Sequence, residues 1–194
     1  PVGRKARTGV DSISNWGPAS QGNAATVVID RTGPVSAAPR AALRSAVSLG
    51  STAAVIAVPM TLSWTATDPG GAGVRSYDIR RSVDGGSFVS MLLGTAGTSM
   101  VLGLTPGHTY RFEVRARDNA GNVGGWVAGP TIRSYLPQES YAGLMWKGTW
   151  KSALVDQCSG GSVRYATAAG ASVSSSFTGR AIAWVTTLGP DRGA

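Results

Sequence analysis

The chain has little of what enzymatic chemistry usually requires. Of its 194 residues one is histidine (His108), one is cysteine (Cys158) and two are glutamate (Glu113 and Glu139). A lone histidine cannot form a His-based metal site or a Ser-His-Asp triad by itself, and His108 reads as a turn residue. A lone cysteine leaves no internal disulfide framework, and Cys158 reads as a small half-buried thiol. Glycoside hydrolysis needs two carboxyl groups facing one cleft. Glu113 falls on the polar face of a strand and Glu139 in a connecting segment. Asp68, Asp84 and Asp118 fall in turns, where aspartate bonds to nearby backbone. Residues 118–122, DNAGN, offer oxygens at alternating positions, but no acidic residue closes the loop as a calcium site requires. No catalytic residue, metal site or cofactor is expected.

Charge is absent from Ser45 through Thr67. A spanning helix needs about 20 predominantly apolar residues, and this run is interrupted by Ser48, Gly50, Ser51, Thr52, Pro59, Thr61, Ser63 and Thr65. From Met60 onward apolar and hydroxyl residues alternate, which is strand periodicity, so no membrane span is expected. A convincing amphipathic helix is also missing. With 27 Gly and 10 Pro, the chain suits short strands joined by many turns. The net charge of +8 is carried by 15 Arg and 3 Lys. Without a nucleic-acid reader motif, it predicts a solvated basic surface with weak attraction for polyanions and no specific nucleic-acid partner.

What is present is organised around residues 104–124, LTPGHTYRFEVRARDNAGNVG. Tyr110, Phe112, Val114 and Ala116 alternate with Arg111, Glu113, Arg115 and Arg117, the period of a strand with one buried and one wet face. Pro106-Gly107 precedes it and the Asp118–Asn122 turn follows. Leu104, Pro106, Gly107 and Tyr110 have the spacing of a tyrosine corner, in which the hydroxyl reaches back to upstream backbone. Trp64 in VPMTLSWTATD and Tyr77 in SYDIRRS complete the pattern. Together these residues resemble a fibronectin type III domain over roughly residues 38–135. The resemblance implies an all-β fold, a seven-stranded antiparallel immunoglobulin-like sandwich. Its expected core is Trp64, Tyr77, Ile79, Leu104, Tyr110, Phe112 and Val114. Strand B is expected near Pro59–Thr67, C over Val74–Ser82, C′ over Phe88–Leu93, E over Thr98–Leu104 and G near Trp126–Ser134. Asp84-Gly85-Gly86 marks a tight hairpin.

Partial β-domains are expected to flank this unit. Residues 10–20 echo 117–126 at a spacing of one such domain, so residues 1–34 read as the last hairpin of a preceding immunoglobulin-like copy. In that reading residues 26–30 form its last strand and Arg31–Pro34 exit into a linker. The sandwich itself is assigned to residues 35–135, with an edge strand A near Arg40–Leu49. Leu136–Ser140 reads as a second linker. Residues 141–194 resemble the front half of a galactose-binding-like β-sandwich, through Gly160-Gly161-Ser162, Phe177-Thr178-Gly179-Arg180, Ala183-Trp184-Val185 and Gly189–Gly193. Ala181–Val185 is expected to be a buried strand. A chain that starts at Pro1 and ends mid-pattern reads as a piece of a longer protein.

Two functions follow as expectations. One is a non-catalytic extracellular spacer or adhesive module of a bacterial surface or secreted protein, monomeric, with a cell-surface glycan or protein as partner. The other is an accessory carbohydrate-binding region of a secreted glycan-active enzyme, with Trp146 and Trp150 as candidate glycan contacts because flat rings stack on sugar C–H faces.

Overall fold

A computed structural model describes residues 29–44, 57–156 and 158–185. The hairpin expected at residues 10–20, most of the strand expected at 26–30 and the end of the expected strand A lie outside the described residues.

The first ten strands are β1 (Val35–Ser36), β2 (Arg40–Leu43), β3 (Val58–Ser63), β4 (Ala66–Thr67), β5 (Val74–Val83), β6 (Val89–Thr95), β7 (Ser99–Leu104), β8 (Thr109–Asp118), β9 (Val127–Ala128) and β10 (Ile132–Arg133). They form an all-β sandwich in which every pairing is antiparallel. One sheet has the order β2-β3-β7, the other β10-β8-β5-β6 with β9 also on β8, and β1 pairs with β4. The two long strands, β5 and β8, align along nearly their whole length, with Ile79 opposite Val114 and Val83 opposite Tyr110.

Alternation decides which side chains meet between the sheets. Tyr77 and Ile79 from β5, Tyr110, Phe112, Val114 and Ala116 from β8, Met60 and Leu62 from β3, Leu104 from β7, and Trp64 all lie in one buried cluster. Every residue of the expected core is in it. In β7 the burial pattern puts Met100 and Leu102 on the inner side with Leu104, while Val101 is 55% exposed. Strand B is shorter than expected because the chain leaves this sheet after Trp64. Trp64 N donates to Thr98 O at 2.9 Å, and Ala66–Thr67 then pairs with β1 instead. Strand G is split into β9 and β10 around Gly129-Pro130. Proline has no N–H to give the ladder, and Gly129 N bonds to Phe112 O at 2.8 Å before the break.

Two local devices hold the frame. Asp84 (φ 51°) and Gly85 (φ 75°) both adopt positive φ, and Gly86 N returns to Val83 O at 2.9 Å. That is the turn whose twist matches paired strands. The tyrosine corner is present: the Tyr110 hydroxyl donates to Thr105 O at 3.1 Å. Ser134 Oγ donates to the same oxygen at 2.8 Å, and Gly107 N to Ser134 O at 2.9 Å. Because Ser134 still occupies the carbonyl, Tyr110→Phe is expected to lose only about 1 kcal/mol, the net worth of one hydrogen bond and not the penalty of an orphaned acceptor. Urea denaturation checks this. A loss well above that, or none, would mean the corner works differently from this geometry.

After the sandwich come two small antiparallel pairs, β11 (Met145–Lys147) with β14 (Ser172–Ser174), and between them in the chain β12 (Lys151–Leu154) with β13 (Ser162–Tyr165). Leu136–Ser140 is not free of contacts: Gln138 Nε2 donates to Ser159 Oγ at 3.0 Å, and the Ser162 hydroxyl donates to Glu139. Ala181–Val185 departs from expectation. It is irregular and exposed, with Ile182 at 61% and Trp184 at 64%. An apolar run becomes a buried strand only where other strands pair with it and cover it, and no described strand does so here.

Candidate functional site

The outer face of the β5–β8 sheet carries the densest charge. Register places Asp78 opposite Arg115 and Arg80 opposite Glu113, a ladder of mixed charge. Arg115 Nε meets Asp78 Oδ2 at 2.8 Å and Arg80 meets Glu113 Oε2 at 2.6 Å. Asp78 Oδ1 also accepts the Gly94 amide at 2.9 Å, tying in β6.

Aromatic rings join this ladder. The Arg80 guanidinium lies 4.9 Å from the Phe88 ring centroid and 4.2 Å from that of Trp126, and the Arg115 guanidinium lies 4.6 Å from Trp126. A cation near a ring is attracted by its quadrupole. Trp126 therefore clamps the irregular chain after β8 onto the sheet. Arg111 and Arg117 reach the Gly129 and Gly121 carbonyls at 3.4 and 3.2 Å. The basic residues read from the sequence as a solvated face are largely engaged within the domain. Trp126 was not legible as their partner, because nothing local links it to Arg80.

At one end of the sandwich, carboxylate oxygens of Asp30, Asp68 and Asp118 lie within 4.8 Å of one another. Asp118 is fully buried. Its oxygens accept Asn122 N at 2.7 Å and Asn122 Nδ2 at 2.8 Å, so residues 118–122 close as a turn. Asp68 accepts Gly73 N at 2.7 Å. The Thr32 and Ala72 amides hold the Asp30 carboxyl below its ordinary value. Oxygen donors of this kind suit a hard cation, yet amide donors already occupy them. At the opposite hairpin Asp84 accepts Thr109 N at 2.8 Å and contacts His108 Nδ1 at 2.6 Å. The Thr109 amide, then His108, lower its carboxyl pKa.

Trp146 and Trp150 are brought together, with ring centroids 4.6 Å apart at 72°. The Arg164 guanidinium sits 4.8 Å from the Trp146 centroid, and Trp150 Nε1 donates to Lys147 O at 3.0 Å. Both rings are half-buried. Among the described residues no carboxylate pairs with Lys147, Lys151 or Arg164. Cys158 is half-buried in a turn, with its amide on Val155 O. Among the described residues no helix is long and apolar enough to cross a membrane.

Comparison with known proteins matches residues 49–127 to the fibronectin type III domain. Over 81 residues the chain is 42% identical to Endoglucanase B of Cellulomonas fimi, covering 41% of this chain and 8% of that protein. Over 80 residues it is 38% identical to Exoglucanase B of the same organism, covering 41% of this chain and 7% of that protein. The chain thus spans under a tenth of the length of these relatives.

Proposed function

Because this chain carries a fibronectin type III domain, we propose that it serves as a non-catalytic, extracellular structural and interaction module, spacing or presenting other parts of a longer bacterial protein. The observation that carries this reading is modular. One complete sandwich with its own core is similar to short stretches of two much larger glucanases, as expected of a unit inserted between other domains. The outer face supports it as well. Arginines already held by carboxylates, rings and carbonyls leave a polyanion little to gain, and any such attraction fades steeply with salt. The module works as a monomer without a specific nucleic-acid partner.

The second reading, an accessory carbohydrate-binding region of a secreted glycan-active enzyme, is favoured by one observation: the adjoining rings of Trp146 and Trp150 beside Arg164. Sedimentation with microcrystalline cellulose separates the two. The full chain and its Trp146→Ala/Trp150→Ala variant are expected to stay in the supernatant to the same extent. Retention of the wild type that the double variant loses would replace the spacer with a glycan-binding role.

A further inference from the structure

The chain enters the sandwich through residues 29–36, and from Asp30 onward this segment is tied to the domain at several points. Asp30 Oδ2 accepts the Ala72 amide at 2.8 Å, and Asn122 Nδ2 donates to the Asp30 carbonyl at 3.2 Å. Asp30 is thereby tied both to the loop between β4 and β5 and to the turn after β8. Two glycines then let backbones touch. A Cβ on Gly33 would come within 2.6 Å of the Val123 carbonyl carbon, and one on Gly124 would collide with the Pro34 carbonyl oxygen. Only a residue without a side chain fits such an approach. Pro34 is itself among the fully buried side chains. Its fixed φ leaves the unfolded segment less freedom to lose on docking. Beyond it Val35 pairs with Thr67 and Ser36 with Ala66, and Ala37 N donates to Thr65 O at 2.9 Å.

A flexible linker has none of these features. Its backbone is solvated and its reach is set by composition alone. Here the residues expected to exit into a linker, Arg31–Pro34, are flanked by hydrogen bonds on one side and strand pairing on the other. We propose that residues 29–36 act as a rigid splint that fixes the direction in which the chain enters the sandwich and removes a hinge at Arg31–Pro34. A sandwich joined in this way transmits orientation as well as distance. The splint stands on the chain's own contacts, whatever the sandwich proves to space.

Trypsin cleavage after Arg31 reads the splint in the full chain, because a protease needs a locally opened segment. Arg31 is itself exposed, so only docking of its neighbours protects it. Asp30→Ala removes the bond to Ala72 along with the local bonds to Thr32, and should speed cleavage at Arg31 about tenfold, the effect of the one net hydrogen bond that its side chain makes to the sandwich. The thermal transition of the core, followed by tryptophan fluorescence, should move little. Equal and rapid cleavage of wild type and variant would overturn the splint. Should the variant fail to fold, amide exchange of the wild type decides. Ala72 N has the Asp30 carboxylate as its partner, so slow exchange there supports docking, whereas exchange at the rate of an unprotected amide overturns it.

Discussion

Trp64→Ala is expected to cost about 3–5 kcal/mol, the usual range for truncating a buried aromatic. Trp64 is 2% exposed. Its ring meets Tyr77 edge to face with centroids 6.4 Å apart, and its Nε1 donates to Gly97 O at 2.9 Å. It joins the end of β3 to the loop before β7 while filling space beside β5. Truncation therefore opens a cavity between the sheets and strips the Gly97 carbonyl of its donor. A domain of this size has a total stability of about 5–15 kcal/mol, so the change removes a large fraction of it. The urea midpoint should fall sharply without a change in far-UV circular dichroism at zero denaturant. Trp64→Phe, which keeps a ring but not the N–H, should lie between the two. A midpoint for Trp64→Ala close to wild type would show that the sheets close over the gap and that the ring is not central to the core.

Asp118→Ala is expected to be the next most damaging change, at about 2–4 kcal/mol, because it leaves two donors of Asn122 without their acceptor at a buried site. Asp118 is 0% exposed, and both of its oxygens hold the turn after β8 closed. One effect opposes this. Removing a charge relieves repulsion from Asp30 and Asp68, whose oxygens lie within 4.8 Å. The hydrogen bonds should outweigh it, since the amides of Thr32, Ala72 and Gly73 already offset the other two carboxylates. Asp118→Asn keeps an acceptor oxygen and removes the charge, so it should recover part of the loss. If Asp118→Ala proved more stable than wild type, charge repulsion would outweigh the hydrogen bonds and the turn would not depend on Asp118.

The outer face and the loop end differ in character. On the outer face, opposite charges alternate across β5 and β8, and the Arg80 and Arg115 guanidiniums each have both a carboxylate and a ring. With their guanidiniums about a third exposed, pairs of this kind contribute about 1 kcal/mol or less each, so the ladder tunes register more than stability. At the loop end, like charges are gathered and must be held by donors. The cluster persists because the entering segment, the loop before β5 and the turn after β8 supply those donors together.

The sequence by itself determined the parts whose physics is local. Side-chain alternation has a period of two residues, so Tyr110, Phe112, Val114 and Ala116 announced their burial, and Arg111, Glu113, Arg115 and Arg117 their outward direction. The Asp84-Gly85-Gly86 turn and the tyrosine corner were legible for the same reason, since each is closed within a few residues. Tertiary structure decided the rest. Arg80 meets Glu113 across 33 residues and Asn122 meets Asp30 across 92. Which side chains face each other over such distances depends on sheet register and chain entry, and local pattern carries neither. The same limit applies to Ala181–Val185. An apolar run records what a strand would bury if something covered it. Whether it is covered depends on neighbouring strands, and in the described residues Ile182 and Trp184 face solvent.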